Sequence, residues 1–378
     1  MNPAVMPTYG RTDVQFVRGE GAWLIDHHGE RYLDALSGLG VVALGHANEA
    51  VALALTHQSQ NLLHTSNLYR IPGQERLAER LAIISGMDNM FFGNSGAEAC
   101  ECAIKIARLY GHNKGFSDPT IIVAESAFHG RTMATLTATG NRKVQAGFEP
   151  LVSGFLRVPF NDVPAIEKIA ETANQVTAIF VEPIQGEGGI QVPDPTYLPR
   201  LRALCDANDW LLIVDEVQSG NARTGAYFCY QHSGILPDLV TTAKGLGNGV
   251  PIGVCLARGA AAEVFKPGNH GSTFGGNPLS CAAANAVLDE FERLNLIQHA
   301  AEMGDYIQAQ FRSHLAGDNR VRDIRGMGLM IGVELAKPCT ELIQQAFERK
   351  LLLNVTADSV IRLLPPLIIN QSEADLIV

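Results

Sequence analysis

An α/β fold with a mostly parallel sheet, followed by a smaller α+β unit, is what the order of hydrophobic patterns predicts. From about residue 48 to 276, helical periodicity alternates with short β-rich runs, the arrangement of successive βαβ units. One of those runs, Leu211-Leu212-Ile213-Val214, is apolar at every position, as a strand covered on both faces of a parallel sheet has to be. After about residue 277 the alternation gives way to long helical patterns and a few short strands.

Taken in order, residues 22–26 and 30–34 read as a hairpin joined by His27-His28-Gly29, so the two histidines are expected in a turn rather than around a metal. Helices are predicted near 48–63 and 74–84, then a strand at Asn89-Met90-Phe91-Phe92 and a helix from Gly96 to Tyr110. The runs 120–124 and 176–181 read as strands, and a helix at 198–209 leads into the 211–215 strand. Beyond 277 come helices at 279–294 and 298–315 and strands around 328–335 and 360–364. The chain stops at 373–378, which reads as a helix start cut short.

Composition narrows the partners. Charged residues are 18% of the 378, apolar residues 46%, and the net charge is −10, which argues against nucleic acid or an anionic membrane surface. Residues 1–7 lack the basic and apolar regions of a secretory signal, and no run approaches the roughly 20 apolar residues of a membrane span, so the cytoplasm is expected. Seven cysteines, without CxxC spacing, read as buried reduced thiols. Cys100 and Cys102 fall on different faces of their helix, and no metal site is expected.

Chemistry is announced by two residues. Asp215 closes the apolar 211–214 strand, at the edge where open α/β sheets bind ligands. Lys244 follows the apolar stretch 236–243 and precedes Gly245-Leu246-Gly247-Asn248-Gly249. Most lysines are solvated surface charges; this one stands out by its company. A lysine to hold an aldehyde carbon as a Schiff base and an aspartate to pair with a pyridinium nitrogen are what pyridoxal phosphate (PLP) chemistry requires.

Other segments gain meaning beside that pair. Gly93-Asn94-Ser95-Gly96-Ala97-Glu98 joins a strand to a helix start; it reads as a Ser95/Glu98 capping box or as an anion site built from free backbone N–H groups. It is not a Walker loop, and the glycines after Lys244 are not a dinucleotide fingerprint, since Pro251 follows where a helix should. Phe128-His129-Gly130-Arg131 follows a strand closely, so Phe128 is a core aromatic or a stacking face, and Arg131 a solvated charge or a carboxylate grip. Glu182 and Glu187 lie on the glycine-rich loop after the 176–181 strand. Paired acids suggest glycoside hydrolysis, but that leaves Lys244 and Asp215 unexplained, and two tryptophans make a thin sugar platform. The loop 270–278, His-Gly-Ser-Thr-Phe-Gly-Gly-Asn-Pro, suits a phosphate or a hinge.

In this order, the segments 91–99, 128–131, 182–189, 215–220, 243–246, 270–279 and 362–367 resemble the class III PLP-dependent aminotransferases of fold type I, and among them most closely the acetylornithine aminotransferases. The resemblance runs from about Arg18 to Leu367. Ser219 stands where threonine is common, and Asn248 and Val250 vary the loop after Lys244. The resemblance implies a large domain with a mostly parallel seven-stranded sheet (51–276), a smaller α+β domain (277–378) and an N-terminal segment (1–50) packing with the latter. It implies that Lys244 bonds the cofactor and moves the proton, Asp215 pairs with the ring nitrogen, Gln218 with the phenolic oxygen, Val217 and Phe128 flank the ring, and Glu182 supports it. Ser95, Gly96 and Ala97 would hold the phosphate, joined by Thr273 of a neighbouring subunit, so a homodimer is implied. Arg362 would bind the α-carboxylate of glutamate and Glu187 neutralise it when an ω-amine enters, while Arg131 and Ser272 contact acetylornithine and Asn67-Leu68-Tyr69 line the site across the dimer. Enzymes for ornithine, succinyldiaminopimelate, succinylornithine or 4-aminobutyrate share this core, as would a PLP-binding homologue without turnover.

Overall fold

The computed structural model describes residues 4–378. Its strands in chain order are β1 (Phe16–Glu20), β2 (Trp23–Asp26), β3 (Arg31–Asp34), β4 (Asn89–Gly93), β5 (Thr120–Ala124), β6 (Phe155–Val158), β7 (Val176–Val181) and β8 (Leu211–Asp215). They continue with β9 (Leu239–Thr242), β10 (Gly253–Ala257), β11 (Val321–Met327), β12 (Met330–Leu335), β13 (Leu351–Leu352), β14 (Asn354–Thr356) and β15 (Val360–Leu363).

The largest sheet has seven strands in the order β4-β10-β9-β8-β7-β5-β6, and only β10 runs antiparallel to its neighbours. Side chains alternate across a strand, and the core divides accordingly. Ile122, Ile179, Leu212 and Val214 pack into one apolar cluster. Ile121, Val123, Phe180, Leu211 and Ile213 pack into another. Every residue of β7 and β8 is therefore buried, the physical reason those runs carry no polar alternation. Because β5, β7, β8 and β9 are parallel, their C-terminal ends share one edge, which Asp215 closes on β8 and from which the loops carrying Phe128, Glu182 and Lys244 leave.

Two four-stranded sheets complete the architecture. One is the antiparallel order β11-β12-β15-β14, which carries Arg362 on β15. The other runs β1-β2-β3-β13, where β13 pairs in parallel with β3 and stitches residues 31–34 to residues 351–352. The expected 22–34 hairpin forms, with Gly29 at φ +85° in its turn, and β1 extends it. The helix Pro278–Arg293 lies along the helices Glu49–Asn61 and Pro72–Ser85. Strands β6, β9, β10, β11, β13 and β14 go beyond the sequence reading. Two or three residues show no periodicity, and β10 begins at a glycine just after Gly249-Val250-Pro251, which reads as loop.

All seven cysteines are buried and free. Cys100 and Cys102 point apart, the first to Asp215 and Thr241 and the second to Cys255.

Two features tie the fold to measurable stability. Gly304, in the helix Leu296–His314, lies so close to the β11–β12 turn that a Cβ would sit 2.0 Å from the Gly328 carbonyl oxygen. Alanine gains about 1 kcal/mol in helix propensity, but a clash with fixed backbone costs about 1–3 kcal/mol. Gly304→Ala should therefore lower the denaturation midpoint, and an unchanged or raised midpoint contradicts the close approach.

Glu216 is fully buried beside Asp215. Its carboxylate accepts hydrogen bonds from the Ser219 hydroxyl (2.6 Å) and the Tyr230 N–H (2.8 Å). Burial pushes its pKa up to about 7, against an ordinary 4.5, with Asp215 adding to the rise. An acid whose folded pKa is raised binds its proton more tightly in the folded state, so stability is greatest below the unfolded pKa and falls as pH rises from 4.5 to about 7, by about 1.4 kcal/mol per unit. Glu216→Gln should flatten that part of the stability profile; an unchanged slope there would place its origin elsewhere.

Candidate active site

Asp215 is 4% exposed at the end of β8. A buried carboxylate needs donors to replace water, and four converge on it. The Thr241 hydroxyl (3.1 Å) and the Val217 N–H (3.0 Å) reach Oδ1. His129 Nδ1 (2.7 Å) and the Cys100 thiol (3.4 Å) reach Oδ2. Burial first and Asp215 second raise the Cys100 thiol well above its usual range, so it stays S–H and donates. The His129 ring stacks on Phe180, centroids 3.9 Å apart, and its Nε2 is buried with no hydrogen-bond partner.

Lys244 follows β9, the strand beside β8, and has φ +44°, a left-handed value that a non-glycine residue holds only under constraint. The constraint is Asn221, whose side-chain amide donates to the Thr242 hydroxyl and the Ala243 carbonyl, both at 3.0 Å. Burial pushes the Lys244 pKa below the usual lysine range, and the Arg362 charge pushes the same way against Glu187, Asp215 and Glu182. A lowered ammonium pKa puts more of the lysine in the neutral, nucleophilic form.

Asp215 and Lys244 share one cavity of about 410 Å³. Ser95, Gly96 and Ala97 line one end, at the start of the helix Gly96–Asn113. Ser95 Oγ accepts from the Glu98 N–H (3.2 Å); the Glu98 carboxylate reaches Asn94 N (2.6 Å), one residue before the position a reciprocal capping box would use. A Cβ on Gly96 would meet Val217 Cγ1 at 2.7 Å, so only glycine lets the helix start approach the strand-end loop. Phe128 and Val217 line the middle, and Arg131 sits with its guanidinium carbon 5.8 Å from the Phe128 ring centroid. Glu182 accepts from Phe128 N (3.1 Å) and Gly186 N (3.4 Å). Burial, then Asp215, raises its pKa well above the usual carboxylate range.

At the other end Glu187 meets Arg362. Arg362 Nη1 lies 2.5 Å from Glu187 Oε1 and 3.4 Å from Gln218 Oε1. The two halves differ in exposure, the arginine side chain at 1% and the glutamate at 40%. Ser272 and Thr273 do not line the cavity of this chain. The Ser272 hydroxyl is engaged by Asn94 Nδ2 (3.1 Å) and Gly275 N (3.0 Å), and Thr273 is exposed. Asn67 holds that same loop through the carbonyls of Ser272 and Gly275.

A flat, anionic heteroaromatic such as PLP fits these donors. The helix start offers N–H groups to a phosphate, Asp215 an acceptor to a ring N–H, and Lys244 an amine to a carbonyl. Cys100, His129 and Asp215 also offer three metal-ligand atoms within 4.8 Å of one another, but the Cys100 thiol is held protonated and donates to Asp215 rather than offering a thiolate. Sequence reasoning missed His129, Thr241 and Cys100 as partners of Asp215. His129 sits in a segment read for its neighbours, and Thr241 with Thr242 puts two hydroxyls at the end of the run that leads to Lys244, a signal that was there to find.

The sequence profile of the family Aminotransferase class-III matches residues 5–378. An acetylornithine aminotransferase of Nitrosomonas europaea is 56% identical over 374 residues, covering 99% of this chain and 95% of that protein. One from Methanothermobacter thermautotrophicus is 47% identical, covering 98% and 93%. Among solved structures, the ornithine aminotransferase of Toxoplasma gondii superposes with a TM-score of 0.95 at 34% identity, covering 99% of this chain and 90% of that one. The acetylornithine aminotransferase of Elizabethkingia anophelis gives 0.89 at 34% identity, covering 98% and 94%. The chain belongs to the class III aminotransferases, enzymes that work with PLP.

Proposed function

We propose that this chain transfers the δ-amino group of N-acetylornithine to 2-oxoglutarate, giving N-acetylglutamate 5-semialdehyde and glutamate, a step of arginine biosynthesis. The observation that carries the reading is 45–56% identity, over almost the whole chain, to acetylornithine aminotransferases from several organisms. Ornithine as donor is the second reading, favoured by the close superposition on ornithine aminotransferase.

The residues divide the work as follows. PLP, when bound, supplies an electron sink conjugated to the reacting carbon. Lys244 would hold the cofactor's aldehyde carbon and, once displaced by the incoming amine, carry the proton between the substrate carbon and the cofactor; being tethered in the cavity, it makes that transfer effectively intramolecular. Asp215 would keep the ring nitrogen protonated, its orientation fixed by His129, Thr241, Cys100 and Val217 N. Val217 and Phe128 would flank the ring, Gln218 would bond the phenolic oxygen, Glu182 would support it, and Ser95, Gly96 and Ala97 would take the phosphate. Arg131 would receive the α-carboxylate of acetylornithine.

Two substrates of different charge must use one pocket, and the Glu187–Arg362 pair would supply the two settings. Paired, it presents no net charge to a neutral chain; with Glu187 swung away, Arg362 meets the carboxylate of 2-oxoglutarate or glutamate. Ser272, Thr273 and Asn67-Leu68-Tyr69 would serve the site of a second copy. The exposure of Leu62, Leu63, Leu68, Tyr69 and Phe274 supports a homodimer. The 51–276 unit would be the cofactor domain and 277–378 the smaller one, with 1–50 joined to it through β3 and β13. Among the described residues no helix is long and apolar enough to cross a membrane, which accords with a cytoplasmic place.

Lys244→Ala should lower kcat by a factor on the order of a thousand or more while the protein still retains PLP by its phosphate contacts; a fully active variant contradicts the assigned role. Steady-state assays with 2-oxoglutarate should give a kcat/KM for N-acetylornithine well above those for ornithine, succinylornithine, succinyldiaminopimelate and 4-aminobutyrate. A preference for ornithine would leave the family intact and replace the substrate.

A further inference from the structure

Strand β14 carries two polar side chains, Asn354 and Thr356, two residues apart and so on one face of the strand. Each touches a different half of the Glu187–Arg362 ion pair. Asn354 lies opposite Arg362 in the β14–β15 register, and its Oδ1 accepts from Arg362 Nε at 3.1 Å. The Thr356 hydroxyl donates to the main-chain oxygen of Glu187 at 2.5 Å. Arg325, from the same small sheet, donates to the carbonyls of Gly189 (2.6 Å) and Ile190 (2.8 Å). The backbone of the Glu187 loop is thus docked on the small sheet at three places, whereas the Glu187 carboxylate is the solvent-facing half of the pair.

We propose that Asn354 and Thr356 are positioning residues that make this ion pair a one-sided switch. Asn354 holds the guanidinium by Nε, so Arg362 keeps its place and presents Nη1 unchanged after Glu187 has left it. Thr356 keeps the Glu187 main chain docked, so only the carboxylate swings and it returns to the same place. The two residues serve different half-reactions: Asn354 the dicarboxylate, which needs Arg362 free and aimed, and Thr356 the amine donor, which needs Glu187 back on Arg362. This rests on the reading above in which Arg362 receives the dicarboxylate.

The test uses the PLP-loaded enzyme and glutarate, an unreactive five-carbon dicarboxylate, with binding read from the perturbed visible band and KM measured for each substrate. Asn354→Ala should raise the glutarate dissociation constant and the KM for 2-oxoglutarate about tenfold, the factor set by losing a hydrogen bond to a charged group, with the amine donor's KM within about twofold. Thr356→Val should do the reverse, raising the amine donor's KM several-fold and sparing glutarate, and Thr356→Ser should restore it. Equal shifts for both substrates, or none, overturn the proposal, as does failure of serine to rescue. An Arg362→Lys arm separates the layers. If it leaves glutarate binding unchanged, the dicarboxylate reading itself falls; if it weakens glutarate while Asn354→Ala and Thr356→Val do nothing, only the positioning roles fall.

Discussion

The buried carboxylate of Asp215 is the constraint on which the rest of the site depends. A charge-bearing group at 4% exposure is tolerated only where polar partners replace its water, and its partners come from four separate parts of the fold. Thr241 comes from the adjacent strand, Cys100 from the helix Gly96–Asn113, His129 from the loop after β5 and Val217 N from its own loop. Satisfying that one group fixes the helix start against the sheet edge. That in turn sets Gly96 against Val217, beside the cavity of about 410 Å³ that the helix start and Lys244 both line. The parallel order of β5, β7, β8 and β9 makes this arrangement reachable, because it brings four loops to one edge.

A second electrostatic element joins the large sheet's edge to the small antiparallel sheet. Glu187 belongs to the loop after β7, but its main-chain oxygen is held by Thr356, the following Gly189 and Ile190 carbonyls by Arg325, and its carboxylate by Arg362, all from the small sheet. In the proposed reading the small sheet would therefore carry the specificity end of the cavity, and the large sheet the cofactor end. Lys244 senses both: the Arg362 charge lowers its proton affinity, and Glu187 opposes that effect. In the proposed half-reaction that turns Glu187 away, Lys244 would lose that opposing charge.

Much of this was legible in the sequence, for identifiable reasons. A doubly covered parallel strand such as 211–215 has to be apolar throughout, and the residue that breaks the run at the ligand edge is conspicuous. Lys244 was found in the same way, by an apolar run ending at glycines. The capping side chains of Ser95 and Glu98 gave the helix start, although Glu98 closes on Asn94. What stayed hidden depends on contacts distant in sequence. Nothing local to His129 reveals that it meets a residue 86 positions on, and β13 and β14 are too short to show a period. Asn354 and Thr356 acquire meaning only once β14 lies beside β15 and the Glu187 loop lies over it. The placement of Ser272 and Thr273 outside this chain's cavity follows from the same limit, since their proposed partners belong to another copy.

The most direct measurement is the visible absorption spectrum of the purified, PLP-loaded protein before and after a single amine is added with no keto acid present. The account predicts a yellow band from cofactor held by Lys244, bleached rapidly by N-acetylornithine and much more slowly by ornithine or succinyldiaminopimelate. A band bleached faster by another amine would contradict the proposed substrate. A protein that forms no band when PLP is supplied would contradict the site built on Lys244 and Asp215.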